Sequence, residues 1–332
     1  MPAPEVSVVV PVRDAAGDLR TLMAALAAQV EPPPFEVVVV DDGSSDDVDG
    51  ALAGAPFPVR RLAVAAPGAA PAGPGAARDA AVAAADGELL AFTDADCRPA
   101  PGWLAAIVAP LRDGPCVVQG PIRVPDGSDV GPFDRTVQRP WPSPLFETAN
   151  LAARRADVRT VGGFAGGVRP LGGKEMGEDV ALGRALLRAG LALAWAPDAV
   201  VVHPVEPRDW RAAAWERARS GAFCALVARW PELRADLLHR RWFLLHDRPA
   251  AWLATAAAVG VVTAPLAPRG RRAATLALAG AASLPYLRGL DRRSRRWGRR
   301  RQPAIAAGMA AGDAVAGASL AVGSLRERTL VL

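Results

Sequence analysis

The first 200 residues alternate short apolar runs with stretches whose apolar positions repeat at helical spacing. VSVVVPV (6–12), FEVVVVDD (35–42) and VRRLAV (59–64) are runs of mostly β-branched side chains and read as strands. A helix is expected around Leu19–Val30 and another near Ala76–Ala85, the second leading into a fourth apolar run, ELLAFTD (88–94). Continuous apolar strands with helices between them describe a mostly parallel sheet covered on both faces, an α/β fold. Ligands of such sheets bind beyond the carboxyl ends of the strands. Two acidic groups fall there, Asp41 with Asp42 and Asp94 with Asp96.

Beyond residue 240 the pattern changes. Three stretches are almost free of charge, PAAWLATAAAVGVVTAPLAP (249–268), AATLALAGAASLPYL (273–287) and PAIAAGMAAGDAVAGASLAVGSL (303–325). Arginine clusters separate them: Arg269, Arg271 and Arg272, then seven arginines from Arg292 to Arg301. A spanning helix needs about 20 apolar residues, so the first and third stretches are long enough and the second is short. Alanine inserts weakly, and soluble Ala-rich helices are the competing reading. Arginines at the ends of every stretch favour membrane-edge anchoring over a soluble bundle, which scatters charge along each helix. Asp313 inside the third stretch needs a partner or a water-facing position, which leaves an interfacial placement of that helix open. The expected organisation is a catalytic domain over 1–238, a linker over 239–248 and a membrane-associated helical region over 249–332, with helices at 249–268, 273–290 and 303–325.

Charge follows the same division. Up to residue 239 there are 23 basic against 30 acidic residues, a net of −7; from 240 onward there are 16 against 4, a net of +12. The apolar stretches assign the basic tail to an anionic membrane surface and not to nucleic acid. Three widely separated cysteines, Cys97, Cys116 and Cys224, form no disulfide framework or zinc spacing and fit a reducing compartment. MPAPEVSVVV has neither a basic n-region nor a long apolar h-region, so the start reads as cytoplasmic.

The paired carboxylates carry a chemical expectation. Like charges at the rim of an apolar core lose solvation and repel unless a cation compensates them, and AFTDADC places Asp94 and Asp96 in that situation. DDGSSDD, after a strand and before a helix, also fits a turn with an N-cap, but two adjacent aspartates exceed what a cap needs.

VSVVVPVRD, FEVVVVDDGSSDD, GPGAARDAAVAAADGELLAFTDADC, NLAARRADVRTVGGF and GEDVALGRALLRAGLALAWAPDAVVVHP occur in this order over residues 5–205. In order and spacing they resemble family-2 inverting glycosyltransferases of the GT-A fold, and the tail resembles the C-terminal membrane helices of many bacterial members. The resemblance implies an enzyme that moves a sugar from a nucleotide-diphosphate donor with Mg²⁺ or Mn²⁺ as cofactor. Its donor pocket falls on Pro11, Asp41, Asp42, Arg78 and Asp94, with Asp42 on the base and Arg78 on the diphosphate. Asp96 corresponds to the direct metal ligand, Asp94 to a ligand of the ribose or, through water, of the metal. His203 corresponds to a further metal ligand that some members use; read alone, a histidine ending a strand-like run is more often a core residue. The ED pair, Glu178 and Asp179, supplies the base, assigned to Asp179 with Glu178 raising its pKa, although acids at a helix start are also favoured by the dipole. Gly162, Gly163 and Lys174 fall in a loop expected to close over donor or acceptor. Gly73 and Gly75 read as loop breakers, and PAGPG departs from the Asn and Gly usual near that arginine.

A polyprenyl phosphate acceptor is already anionic and needs no base, whereas a sugar hydroxyl does, so the ED pair favours a hydroxyl acceptor on a lipid-linked or cell-envelope glycan. Processive members carry QxxRW; LVARW (226–230) has Leu226 in place of the glutamine, which implies addition of one or a few sugars. The alternatives are a polyprenyl-phosphate glycosyltransferase, a nucleotidyltransferase-like enzyme indifferent to the ED pair, and a non-catalytic nucleotide-sugar-binding protein. Trp210, Trp215, Phe223 and Trp230, at near-helical spacing, read as a core face, with a membrane-facing or acceptor-facing stripe as the alternative. The expected location is the cytoplasmic face of the inner membrane, the first tail helix leaving, the second returning and the seven-arginine segment inside.

Overall fold

The computed structural model describes residues 3–169, 175–244, 248–263, 265 and 268–332. The chain forms two compact units, one of Met1–Asp129, Thr136–Val168 and Lys174–Glu206, the other of Val130–Arg135, Arg169–Gly173 and Pro207–Leu332. The main division thus falls between Glu206 and Pro207, not at the expected 238/239.

The strands of the first unit are β1 (Val6–Val12), β2 (Phe35–Asp42), β3 (Val59–Ala65), β4 (Leu89–Phe92), β5 (Arg98–Pro99), β6 (Cys116–Gln119), β7 (Ile122–Arg123), β8 (Leu151–Arg154), β9 (Ala192–Trp195) and β10 (Val201–Val202). Its helices are α1 (Ala16–Ala27), α2 (Val48–Leu52), α3 (Pro74–Ala84), α4 (Trp103–Asp113), α5 (Arg155–Thr160) and α6 (Glu178–Arg188). The main sheet has seven strands in the order β3-β2-β1-β4-β8-β6-β9. All its pairs are parallel except those of β8, which runs antiparallel to both β4 and β6. A second sheet orders β5-β10-β7.

Strand residues alternate between two cores because successive side chains point to opposite faces. Val8, Val10, Val37, Val39 and Ala91 meet α1 and α4, while Val9, Val38, Val40, Leu90 and Phe92 meet α3 and α6. This double burial explains the unbroken apolar runs. It also fixes the strands so that their carboxyl ends present Pro11, Asp41 and Asp42 together. Proline is tolerated in central β1 because β4 pairs only as far as Val9, so the side on which Pro11 lacks an N–H has no ladder left to serve.

The second unit contains α7 (Trp210–Glu216), α8 (Ala222–Arg229), α9 (Leu233–Asp236), α10 (Arg248–Thr263), α11 (Arg269–Arg295) and α12 (Gln302–Arg326). The expected linker is not a free tether: the amide of Leu244 donates to Leu332 O, and His239 bridges Phe243; residues 245–247 lie outside the described ones. Among the described residues α12 alone is long and apolar enough, by length and composition, to cross a membrane. The stretch at 249–268 yields a 16-residue α10, with Ala264, Leu266 and Ala267 outside the described residues, and the stretch at 273–290 lies within an α11 that has arginines at both ends. The aromatic stripe is not a single core face. Trp230 is buried, but Trp215 is 70% exposed and Trp210 43%, because α7 packs one side against α12 and leaves these two rings outside that contact.

Candidate active site

Three strand ends and two helix starts of the first unit converge. At the end of β2, the Asp41 carboxylate accepts the Ser44 amide at 2.8 Å and the Arg61 guanidinium at 2.6 Å. Burial pushes this carboxyl up, but the Ser44 and Arg61 hydrogen bonds outweigh it and hold the group below its ordinary value. Asp42 uses both oxygens on the loop ahead of α3, accepting from Ala72 N at 2.7 Å and Gly73 N at 2.9 Å. The predicted base contact is therefore a carboxylate already oriented by the Gly/Pro-rich loop.

Arg78 sits one turn into α3 and is 5% exposed. It donates to Asp94 Oδ1 at 2.8 Å and to Glu178 Oε1 at 3.2 Å, with its guanidinium 5.7 Å from the centre of the Phe164 ring. One cation thus ties the end of β4 to the start of α6. Gly75 makes this closeness feasible, since a Cβ there would come within 3.3 Å of the Glu178 side chain. It does more than break a loop. Neighbouring Asp79 accepts the Phe164 amide at 2.9 Å, which secures the turn containing Gly162 and Gly163. Lys174, expected in the same loop, lies outside the described residues.

β4 stops at Phe92, and a tight turn, with Cys97 N donating to Asp94 O, carries Asp94 and Asp96. The next residues form β5, which pairs antiparallel with β10 so that Arg98 faces Val202. Extending that register by one position sets His203 opposite Cys97, and His203 Nε2 lies 3.8 Å from Asp96 Oδ2. The His203 Nδ1 is 2.9 Å from Pro204 O. As a donor to that carbonyl, Nδ1 leaves the Nε2 lone pair directed at Asp96, the tautomer a metal-ligating histidine needs. Asp96 Oδ1 is buried without a hydrogen-bond partner. Burial and then the charge of Asp94 raise the Asp96 carboxyl above its ordinary value, against a smaller opposing effect of His203. Asp94, Asp96 and Cys97 offer ligand atoms within 4.8 Å of one another. An unpartnered carboxylate beside a second carboxylate and a correctly turned imidazole fits a hard divalent cation, with the two aspartates and His203 as ligands. The buried thiol is pushed well up by desolvation and by both aspartates and is a poor partner for such an ion.

Glu178 and Asp179 open α6 behind Gly177. Burial, and then the charge of Glu178, push the Asp179 carboxyl well above its ordinary value, while Arg78 and the Val180 amide pull the other way. A carboxylate so raised is a stronger base than one in water.

Residues 7–170, which include Pro11, Asp41, Asp42, Arg78, Asp94 and Asp96 of this site, match the profile described as glycosyl transferase family 2. These residues form a glycosyl transferase family 2 domain. The chain is 29% identical over 259 residues to the pre-mycofactocin glycosyltransferase of Mycobacterium tuberculosis, covering 70% of this chain and 50% of that protein. It is 28% identical over 214 residues to glycosyltransferase AglE of Haloferax volcanii, covering 61% of this chain and 68% of that one. The chain therefore spans half the length of the first of these relatives. Its fold is similar to that of mannosyltransferase PcManGT from Pyrobaculum calidifontis, solved in complex with GDP-Man and Mn²⁺, with a TM-score of 0.57 at 23% identity over 95% of this chain and 87% of that one.

The structure brings Pro11, Asp41, Asp42, Arg78, Asp94, Asp96, His203, Glu178 and Asp179 to one end of the sheet region. Sequence reasoning missed Arg61, which bonds Asp41, Phe164, whose ring lies beside Arg78, and Asp79, which holds the Phe164 amide. Charged Arg61 inside the β3 run VRRLAV was the available signal for the first.

Proposed function

We propose that this glycosyltransferase transfers one or a few sugars, with inversion, from a nucleoside-diphosphate donor to a hydroxyl acceptor on a lipid-linked or cell-envelope glycan, with Mg²⁺ or Mn²⁺ as cofactor. The observation that carries the reading is the Arg78 bridge, which joins the acidic strand end at Asp94 to the ED pair in one buried network. In this reading Asp42 accepts an N–H from uracil or guanine beside Pro11, with Asp41 holding the turn beneath. Arg78 turns from the carboxylates to the donor diphosphate, to which a guanidinium is geometrically matched. Asp94 takes the ribose hydroxyls or a metal-bound water, and Asp96 with His203 holds the cation. When bound, the cation neutralises charge that grows on the departing diphosphate.

The acceptor hydroxyl attacks the anomeric carbon from the face opposite the diphosphate, its oxygen forming the new C–O bond as the old one breaks. Asp179 takes the hydroxyl proton, and the raised proton affinity of its carboxyl supports that role. Once Arg78 has turned to the diphosphate, the Glu178 charge maintains the negative field that keeps Asp179 basic. Such a base is superfluous for a phosphate acceptor, which is why the hydroxyl class is preferred. The protein from Pyrobaculum calidifontis holds GDP-Man and Mn²⁺ on the same fold, which is consistent with a nucleotide-sugar donor. The location is the cytoplasmic face of the inner membrane, supported by the basic, apolar C-terminal unit.

The test is release of nucleoside diphosphate over a panel of nucleotide sugars, with and without chelator, using hydroxyl-bearing and phosphate-bearing lipid acceptors in parallel. Donor-dependent diphosphate release that needs both the cation and a hydroxyl acceptor is expected. Turnover of nucleoside triphosphates without a nucleotide sugar overturns the reading in favour of nucleotidyl transfer, and preference for the phosphate acceptor overturns the acceptor class.

A further inference from the structure

Residues 207–332 contain 22 arginines, no lysine and eight acidic residues, a net of +14. Three of these arginines stack on tryptophans that are not buried: Arg211 on Trp210, Arg234 on Trp242 and Arg296 on Trp297, with guanidinium-to-ring distances of 4.6 to 5.2 Å. Tryptophan with arginine is the pairing suited to lipid headgroups, the ring at the glycerol level and the guanidinium on phosphate.

The helix with the length to span is committed elsewhere. α12 packs along α7 and α8, with Gly312 beside Ala214, Gly323 against Gly221, and Ser319 hydrogen-bonded to the Gly221 amide. Its Asp313, only 8% exposed, accepts from Tyr286 at 3.1 Å and Arg293 at 3.0 Å of α11, so it faces neither water nor lipid. α7, against which it lies, ends in an ion-pair cluster in which Glu216 meets Arg135, Arg208 and Arg219. Sinking α12 across hydrocarbon would take that cluster with it, at a large cost for each charge. Along most of its length the outward face of α12 offers only alanines, Ala304, Ala307, Ala314 and Ala318, a weak anchor, with Val322 and Leu325 exposed at its C-terminal end.

α10 and α11 have the opposite character. They pack on each other and turn leucines outward: Leu278 is 72% exposed, with Leu253, Leu276, Leu284 and Leu287 about half exposed. Over the described residues, at 1.5 Å per residue, the 16 residues of α10 and the uncharged part of α11 run about 22–24 Å, against a hydrocarbon core of ~30 Å. Arg288, Arg292 and Arg295, on one face of α11, line an open hollow together with Asp291 and Pro285.

From these observations we propose that the C-terminal unit seats in the plane of one anionic leaflet without crossing it. The leucines of α10 and α11 enter the acyl boundary, the arginines at their ends and the Arg–Trp pairs take lipid phosphates, and α12 is an internal strut. The occupant of the exposed apolar face is thus an anionic phospholipid surface, matched to it by charge. The proposal rests on the membrane location proposed above and specifies how it is achieved.

Two experiments on the full chain test it. In flotation, the chain should partition with phosphatidylglycerol-containing vesicles at least tenfold better than with phosphatidylcholine vesicles, with binding weakened by salt. Leu276→Asp with Leu287→Asp, two exposed leucines eleven residues apart on the same side of α11, should lower partition at least tenfold. Flotation with neither vesicle overturns membrane attachment itself; equal flotation with both, or no effect of the aspartates, overturns the anionic, leucine-mediated seat. The second experiment is topological. Gly270 is exposed, with nothing within 4 Å of a Cβ, and the three natural cysteines are buried, so Gly270→Cys reports alone to a membrane-impermeant maleimide. It should react only after spheroplasts are lysed. Reaction in intact spheroplasts means that α10 crosses and overturns the in-plane seat while leaving attachment intact. No reaction in either state overturns it too, because the arginine-flanked end would then lie in hydrocarbon.

Discussion

Replacing Arg78 with methionine separates what this side chain does for the fold from what it does for the donor. Arg78 and Glu178 are both almost fully buried, whereas Asp94 is about one third exposed and can be rehydrated. The main loss in Arg78→Met is therefore a buried Glu178 without its cation, a change that costs about 3–5 kcal/mol. Loss of the guanidinium from the Phe164 ring adds roughly 0.5–1 kcal/mol. For a unit of this size each kcal/mol lowers Tm by about 2–4 °C, so a fall of roughly 7–24 °C is expected in calorimetry or thermal CD. Adding Glu178→Gln removes the stranded charge, and the double variant should recover at least half of the loss. Donor binding should behave differently. A charge-assisted bond to phosphate contributes about 1.5–3 kcal/mol, so affinity by isothermal titration should fall roughly 10- to 150-fold in Arg78→Met and stay low in the double variant. A single variant with unchanged Tm, or a double variant no more stable than the single, refutes the buried-pair argument. Donor affinity that returns along with stability refutes the binding role.

Asp179→Asn should abolish transfer to the acceptor while donor affinity changes by less than a factor of three, read by single-turnover assay and titration; equal losses in both would make Asp179 a binding residue. Because burial and Glu178 raise the Asp179 carboxyl, its basic form is lost on acidification at a pH above the ordinary carboxylate range, so the acid limb of kcat/KM should lie there and move down in Glu178→Gln; a limb unmoved by that change contradicts the coupling. Asp96→Ala should keep its thermal transition, as the residue lies at the sheet rim, yet lose several orders of magnitude in transfer, and excess chelator should do the same to the parent chain. A Cβ on Gly183 would sit about 2.0 Å from the buried Phe146 ring, so Gly183→Ala should lower stability by about 1–3 kcal/mol in chemical denaturation, and an unchanged midpoint would mean that the ring moves freely.

The strands and their polarity are legible in the sequence because double burial writes itself as unbroken β-branched runs. The acidic pairs are legible because like charges at strand ends have no packing rationale. His203 is harder to place: β5 and β10 have two residues each, and their register is set by the surrounding structure rather than by any local pattern. The reversed direction of β8 is invisible in LAAR, which would pair equally well either way. Asp313 in the tail is hard to place for a related reason. Hydropathy counts apolar residues without knowing what they touch, and the partner that neutralises Asp313, Arg293, stands 20 positions earlier in another helix.

The reversal of β8 has an evolutionary consequence. In the antiparallel register Leu151 sits beside Phe92, so the segment entering β8 arrives at the same rim as the residues leaving β4, and the Thr93 hydroxyl donates to Ala149 O there. Every donor contact assigned above except His203 is encoded before residue 97, whereas this rim segment and the base come from residues 120–179. On that assignment the two substrates are read by separate stretches of gene. Drift or recombination within the later stretch can retarget the acceptor while the nucleotide pocket keeps its geometry, and lineages that share a donor are free to diverge in what they decorate.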